Sequence, residues 1–421
     1  MVSTENNVTP RGQTAPMSIR QRLYPNLDNN EILVMHCSNA RFVYNLGLEQ
    51  RNLWRKDRTT RINYRTQAKE LAEARQAFTW LNEGSSAVQQ QALRDLDRAF
   101  QNWWNNPAHF SHPTWRKAGI NEGFYIRDLS VRRINHKWGQ VYVPKCGWVK
   151  FRLSKPFSEI EASTSAHVTL DRSGRWHASF TQAQLGLKRK PTGALLGLDM
   201  GVVATVTTSE GQILDMLELL TKGERQRKRR LERKLARQVK GSNRRARTKL
   251  AVAKLAAKES DRRKDWVEKT TTQLVRDYDL IALEALKVKN MSKSASGTKD
   301  KPGKQVSQKR GLNRSILEQS WGMFRQRLTD KATHATAPVT IVSINPAYTS
   351  LRCSECGHTD KGNRKSQAVF CCLSCGYTNN ADVNAAQNIL AAGLAVTGRG
   401  GTSHANKHSD PMKRQLLEVV A

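Results

Sequence analysis

The spacing of apolar positions changes along the chain, and each change predicts a different kind of element. Residues 17–25 alternate apolar with polar side chains from Ile19 to Leu23 and stop at Pro25, the pattern of one strand of a half-buried sheet. From Asn29 to about Trp54 the positions Ile32, Leu33, Phe42, Leu46 and Leu53 predict a helix, and a second begins after Ser85 and Ser86, which can cap it. There Val88, Ala92, Leu96, Ala99 and Trp103 recur at helical spacing, and Leu93, Phe100 and Trp104 widen the apolar face to that of a scaffold helix. Between Gly123 and Leu185 the period falls to two. Segments at Phe124, Gln140, Trp148, His167 and Trp176, separated by Gly, Asn, Asp or Pro, predict a small antiparallel β-barrel. The strand at Ile19 is expected to join it, which makes the helices between an insertion.

Further on, Leu195 to Thr208 reads as a buried hairpin running up to a turn at Ser209-Glu210-Gly211. Lys222 to Lys249 predicts one long helix in which fourteen Lys or Arg oppose only Glu224 and Glu232, with Leu231 and Leu235 as a thin apolar seam. Asp279 to Leu286 is a short apolar run of strand length, and Lys287 to Arg310 has the composition of a mobile loop. Helix is expected through Leu317, Trp321, Phe324 and Leu328, strand from Val339 to Ile344, and a final helix from Ala381 to Leu394.

Charge changes this picture most. Seventy Lys plus Arg against 36 Asp plus Glu leave +34 on 421 residues, a balance that asks for a polyanionic partner, and nucleic acid is the favoured one. Apolar residues make up 38 % of the chain, enough for real cores. No run approaches the roughly 18 apolar residues of a membrane span, and Met1 to Ala15 lacks the apolar stretch of a secretory signal, so the expectation is a soluble protein of the cytoplasm with no membrane partner. Five of seven cysteines lie between Cys353 and Cys375, which is not a disulfide framework.

Cys353-Ser-Glu-Cys356-Gly and Cys372-Leu-Ser-Cys375-Gly are two Cys-x-x-Cys knuckles with metal-site spacing. Four thiolates close a tetrahedral Zn²⁺ site and leave no open position, so one structural zinc is expected. A redox dithiol is the competing reading, and Cys37, Cys146 and Cys371 read as free or buried thiols.

Asp199 and Glu284 sit inside apolar strands, where an unpaired carboxylate is costly unless something cationic offsets it. Asp382 opens the last helix, a place where an acid is often only a partner for the helix dipole. Together the three suggest oxygen ligands for two Mg²⁺ ions about 4 Å apart, which can activate water and stabilise the leaving oxygen in phosphodiester hydrolysis. Neither a Gly-x-x-x-x-Gly-Lys phosphate loop nor a His-Glu-x-x-His motif competes with them.

Gly-Leu-Asp199-Met-Gly, Leu-Glu284-Ala-Leu, Thr-Ser-x-x-Cys353-x-x-Cys356-Gly and Cys372-x-x-Cys375-Gly with Asn-Ala-Asp382-Val-Asn-Ala-Ala resemble the RuvC-like nuclease of transposon-encoded TnpB proteins and compact type V CRISPR effectors. The similarity extends upstream to Leu23-Tyr-Pro, Arg41-Phe-Val-Tyr-Asn and the Gln91 to Phe100 stretch, and so covers most of residues 17–394. The chain departs from the family at Asn105 to Trp115, where a more basic Gly-x-Pro-x-Phe-Lys pattern is expected.

The resemblance implies an RNA-guided DNA endonuclease. A structured guide RNA lies on the protein, base pairing selects double-stranded target DNA beside a short flanking motif, and Asp199, Glu284 and Asp382 hold the two catalytic Mg²⁺ ions. The candidate nucleic-acid face is Arg227, Lys228, Arg229, Arg230, Arg233, Lys234, Arg244, Arg245 and Arg247. The rival readings are a transposase that joins DNA ends at the same acids and a guide-dependent binder that does not cut.

The implied fold class is multidomain α+β: an RNase H-like (RuvC) α/β core with a zinc ribbon, plus a β-barrel (wedge) domain carrying a helical insertion. The implied boundaries are a flexible N-terminus 1–16, the first barrel strand 17–28, the helical recognition insertion 29–118 and the barrel 119–190. The nuclease follows at 191–345 with a basic helical insertion 221–278, then the zinc ribbon 346–378, the last nuclease segment 379–394 and a flexible tail 395–421.

Overall fold

A computed structural model describes residues 17–55, 62–182, 186–216, 218–298 and 300–398. The expected N-terminal segment 1–16 and the tail from 399 onward lie outside these residues. The chain forms two compact units: Thr14–Leu185 with Lys222–Lys258, and Gly186–Thr221 with the chain from Glu259 on.

The first unit starts with strand β1 (Met17–Tyr24), helices α1 (Leu27–Asn52), α2 (Tyr64–Ala77), α3 (Thr79–Glu83) and α4 (Ser86–Asn105). Then come β2 (Glu122–Ile126), β3 (Val131–Arg133), β4 (Trp138–Val143), β5 (Gly147–Arg152), the short α5 (Phe157–Glu161), β6 (Ser165–Leu170) and β7 (Trp176–Gln182). The strands form one antiparallel sheet in the order β2-β6-β7-β1-β5-β4-β3, with β1 at its centre, so α1 to α4 enter between β1 and β2. The sheet is open at β2 and β3: no ladder among the described residues joins these two strands, in contrast to the expected barrel. One sheet face is apolar, with Phe151, Phe180, Val141, Val168 and Ala178 all fully buried.

Asn26 caps α1 by accepting from the Asn29 amide at 2.7 Å. The helix buries Leu33, Cys37, Ala40, Val43, Tyr44 and Leu48, while Phe42, Leu46 and Leu53 from the expected stripe are exposed. The stripe that meets α4 is the one with the i, i+3, i+4, i+7 spacing, and the three outliers lie beside it.

The basic segment is two helices, α6 (Lys222–Arg237) and α7 (Asn243–Asp277), in place of one. Gly241, in the turn between the two helices, takes φ +88°, and the Ser242 hydroxyl accepts from the Arg245 amide at 3.2 Å to start the second.

The second unit is built on a five-stranded mixed sheet. Its strands are β8 (Leu195–Asp199), β9 (Val206–Thr208), β10 (Ile213–Leu214), β11 (Leu280–Glu284) and β12 (Thr340–Ile344), in the order β10-β9-β8-β11-β12. β8 to β10 are antiparallel neighbours, whereas β11 runs parallel to both β8 and β12. Between β11 and β12 lie α8 (Val288–Met291), α9 (Val306–Gln319) and α10 (Trp321–Thr333). The stretch expected as a mobile loop therefore contains α8, the turn that follows it and the start of α9. Asn313 Nδ2 holds that turn by donating to the carbonyls of Ser292 and Lys293, both at 3.0 Å.

A small ribbon, β13 (Val369–Cys371) and β14 (Thr378–Asn380), precedes the last helix α11 (Ala381–Val396), which continues two residues past its expected end. α11 lies directly on the sheet: a Cβ on Gly197 in β8 would collide with the carbonyl of Ala386. Glycine there is what lets helix and strand meet. Ile281 and Leu283 are buried with Leu196 and Leu198 on one side, and Leu280 and Ala282 with Ile389 of α11 on the other, so β11 is covered on both faces and reads as a continuous apolar run.

Candidate nuclease and metal sites

The register of β8 and β11 positions the first two acids. Leu198 stands beside Leu283 in a parallel ladder, so Asp199 and Glu284 end two neighbouring strands on the same sheet edge. Asp382 occupies the first turn of α11, where Asn380 Oδ1 accepts from the Asp382 amide at 2.9 Å and the Val383 amide at 3.2 Å. Burial, together with the charges of Glu284 and Asp382, pushes the Asp199 carboxyl up to about 7, against the lowering influence of Arg364. Burial also raises Glu284, which is 8 % exposed, while the Thr349 hydroxyl donates to its Oε1 at 2.6 Å and favours the ionised form. Asp199 thus feels the charges of both other acids. A carboxylate group of this kind, only partly offset by Arg364, fits hard divalent cations.

Sequence reasoning missed two residues here. Arg364 Nη2 lies 3.1 Å from Asp382 Oδ1, and Thr349 holds Glu284. Thr349 stands in the quoted Thr-Ser-x-x-Cys motif, which was its signal. Arg364 lies between the two knuckles and carries no local signature.

The four knuckle cysteines come together. Their sulfurs all lie within 4.8 Å of one another, with Cys353 to Cys375 at 3.7 Å and Cys356 to Cys372 at 3.5 Å. A tetrahedral ion with metal–sulfur bonds of about 2.3 Å sets its sulfurs roughly 3.8 Å apart, whereas a disulfide needs about 2.05 Å. The donor set therefore fits a closed Cys₄ metal centre. Each knuckle turns back on itself, the Gly357 amide donating to Cys353 O at 3.0 Å and the Gly376 amide to Cys372 O at 3.1 Å. Among the described residues this is the one set of three or more such ligands gathered so tightly; the three acids are more widely spaced.

α11 ties ribbon and acids together. Asn384 Oδ1 accepts from the Ser354 amide at 3.0 Å and its Nδ2 donates to Arg352 O at 2.8 Å. One turn later Asn388 Nδ2 donates to Thr349 O at 2.9 Å and Arg352 O at 2.7 Å.

Of the nine cations expected to face nucleic acid, Arg227, Arg229, Arg230, Arg233, Lys234, Arg244 and Arg247 are exposed on α6 and the start of α7. Lys228 is half-buried. Arg245 is a correction: its guanidinium donates to Leu235 O and, at 2.9 Å, to Gln238 O, capping the end of α6 in place of meeting solvent.

A second cationic surface went unnoticed in the sequence. On the solvent face of the seven-stranded sheet, Arg132, Gln140, Lys150 and Tyr24 stand side by side across four strands, and Tyr142 stands opposite Trp148. The Arg132 guanidinium lies 4.2 Å from the Trp148 ring centre, and Arg22 lies 5.0 Å from Tyr24. The alternation of these strands places aromatic and basic residues at the outward positions.

Comparison with known proteins adds two family matches. Residues 168–295 match a family described as a probable transposase (OrfB of IS605), and residues 321–389 match the Cas12f1-like TNB domain. The chain is 37 % identical over 386 residues to the "Putative RNA-guided DNA endonuclease InsQ" of Escherichia coli K12, covering 90 % of this chain and 92 % of that protein. It is 31 % identical over 413 residues to a "Putative RNA-guided DNA endonuclease" of Streptomyces pristinaespiralis, covering 96 % of each. Among solved structures, a Cas12f1–sgRNA–target DNA complex aligns over 86 % of this chain and 83 % of the Cas12f1 chain with a TM-score of 0.51 at 13 % identity, a likeness of fold.

Proposed function

Because the chain belongs to the TnpB family of RNA-guided DNA endonucleases, we propose that it cuts guide-matched DNA at Asp199, Glu284 and Asp382. It is an RNA-guided DNA endonuclease whose partners are a guide RNA and target DNA. The reading of the site rests on one observation: Asp199 is pushed up to about 7 by burial and two further carboxylates, a cluster only partly offset by Arg364.

Asp199, Glu284 and Asp382 would hold Mg²⁺. Once bound, the ions would supply an activated water and charge stabilisation for the leaving oxygen. The protein's own part is positioning. Thr349 orients Glu284 and favours its ionised form, the capped first turn of α11 holds Asp382, and Arg364 balances part of the negative charge.

In the finer reading, the five-stranded sheet with α11 is an RNase H-like (RuvC) core, and the Cys₄ centre is a structural zinc ribbon inserted before its last helix. The seven-stranded sheet is the wedge and α1 to α4 the recognition insertion. The exposed cations of α6 and the Arg132–Trp148 face carry the guide RNA and its duplex, phosphates binding the cations and unpaired bases stacking on the rings. Sequence choice is left to base pairing. No helix among the described residues is long and apolar enough to cross a membrane.

The test is cleavage of guide-matched plasmid by the protein–guide complex. Asp199→Ala should abolish Mg²⁺-dependent cutting and leave binding intact; continued cutting by that variant places the active site elsewhere.

A further inference from the structure

A groove of about 480 Å³ lies in the second unit, lined by α7, the turn after α8, and α9 and by none of the three acids. Arg263, Arg310 and Arg314 line it with the hydroxyls of Ser292, Ser294 and Ser296; Glu318 is the acid in its wall. Arg310 and Arg314 are exposed and have no hydrogen-bond or ion-pair partner among the described residues. Arg263 gives one Nη to Glu259 at 3.1 Å, while its Nε–H is buried and has no acceptor. A buried guanidinium donor left without a partner carries a desolvation cost that a bound anion would remove.

The start of α9 adds donors to the same groove. Val306 lines it, and Gln305 before it takes a left-handed conformation and caps the helix with no side-chain hydrogen bond. The first amides of a 14-residue helix are therefore free to bind a negative group. The groove is also braced: Lys309 Nζ donates to Met291 O at 2.8 Å, and Asn313 pins the turn that presents the serines. Ala295, Val306 and Leu317 complete the lining, and the three guanidinium groups, the uncapped helix start and the three hydroxyls match the oxygens of phosphodiester groups.

The far end of α9 reaches the segment that follows Asp199. Gln319 Nε2 donates to Val202 O at 3.0 Å, and its Oε1 accepts from the Thr205 hydroxyl at 2.9 Å. Anything bound in the groove thus bears on a helix fixed to the loop beside a nuclease acid.

Resting on the nuclease reading above, we propose that this groove seats backbone phosphates of the DNA strand being cut, as an anchoring point separate from the three acids. The test compares Arg310→Ala/Arg314→Ala with the parent, each as the complex with guide RNA, in EDTA so that no strand is cut. Affinity for guide-matched DNA, and separately for the guide RNA, is measured across salt concentration. Each lost single-strand phosphate contact makes the slope of log K against log salt shallower by about 0.7, so the DNA slope should flatten by about 1.4 while the guide-RNA slope stays put. Arg310→Lys/Arg314→Lys should restore the slope, which separates lost charge from lost fold. An unchanged DNA slope overturns the proposal, and so does a flattening confined to guide RNA. Failure of the parent complex to cut matched DNA in Mg²⁺ would refute the nuclease reading instead, and the slopes report on the groove in either case.

Discussion

The Thr349 hydroxyl donates to Glu284 Oε1 at 2.6 Å, and the carbonyl of the same threonine accepts from Asn388 at 2.9 Å. One residue thereby connects the end of β11 to α11, the helix that carries Asp382, and it sits four positions before the first knuckle cysteine. The Cys₄ centre and the acids are mechanically one assembly even though their chemistry differs.

Replacing Thr349 by Val keeps the shape and removes the donor. A hydrogen bond to a charged group contributes about 1.5–3 kcal/mol, so losing it should push the Glu284 carboxyl further up, in the direction burial already drives it. Cleavage near pH 7 should fall at least tenfold and recover substantially at pH 9, with guide RNA affinity unchanged. Rate–pH profiles of parent and variant check this.

Arg364→Ala removes the cation that pairs with Asp382 and lowers Asp199. Removing one preorganised donor from an oxyanion hole costs about 2.7–4 kcal/mol, and a loss of that order here would drop kcat roughly a hundredfold or more. Higher Mn²⁺ or Mg²⁺ should not rescue it, whereas Arg364→Lys should retain part of the activity. Single-turnover cleavage at saturating metal measures both.

With its carboxyl near 7, Asp199 binds a proton in competition with metal. The Mg²⁺ concentration for half-maximal cutting should therefore fall as pH rises from 6 to 8. Stability of the metal-free protein goes the opposite way. Asp199 has a folded-state value above its unfolded value near 3.8, so the folded state binds the extra proton between those values. The cost is absent below about 4, grows as pH rises, and is complete above 7. Three units correspond to roughly 4 kcal/mol at most, so Asp199→Asn should raise Tm in EDTA at pH 8 and lose that advantage as pH falls towards 4.

Metal analysis of the purified chain should find one zinc, lost in Cys372→Ser. Because Asn384 and Asn388 hold the segment leading into the knuckle, opening the ribbon should also release Thr349 from Glu284. Cleavage should then fail even with excess Mg²⁺, which a purely peripheral ribbon would not produce.

The strands, and the places of Asp199 and Glu284 at the ends of two of them, were legible in the sequence because both leave local marks. Period-two alternation marks the seven-stranded sheet, and a carboxylate inside an apolar run stands out at Asp199 and Glu284. What it did not carry depends on tertiary contact. The buried stripe of α1 was obscured by Phe42 and Leu46, apolar residues on the exposed side, and the break at Gly241 was hidden by continuous charge. The polar Lys287 to Arg310 stretch is ordered by Lys309 and Asn313, whose backbone acceptors lie 18 to 21 residues earlier. Arg364 meets Asp382 only once ribbon and helix have folded.

Calorimetric titration of Mn²⁺ into the complete protein–guide–DNA complex tests the central claim most directly. Two ions per chain should bind beyond the zinc, and Asp199→Asn, Glu284→Gln or Asp382→Asn should each weaken or remove that binding without loss of guide RNA. Equal metal binding by the parent and all three variants would contradict the account.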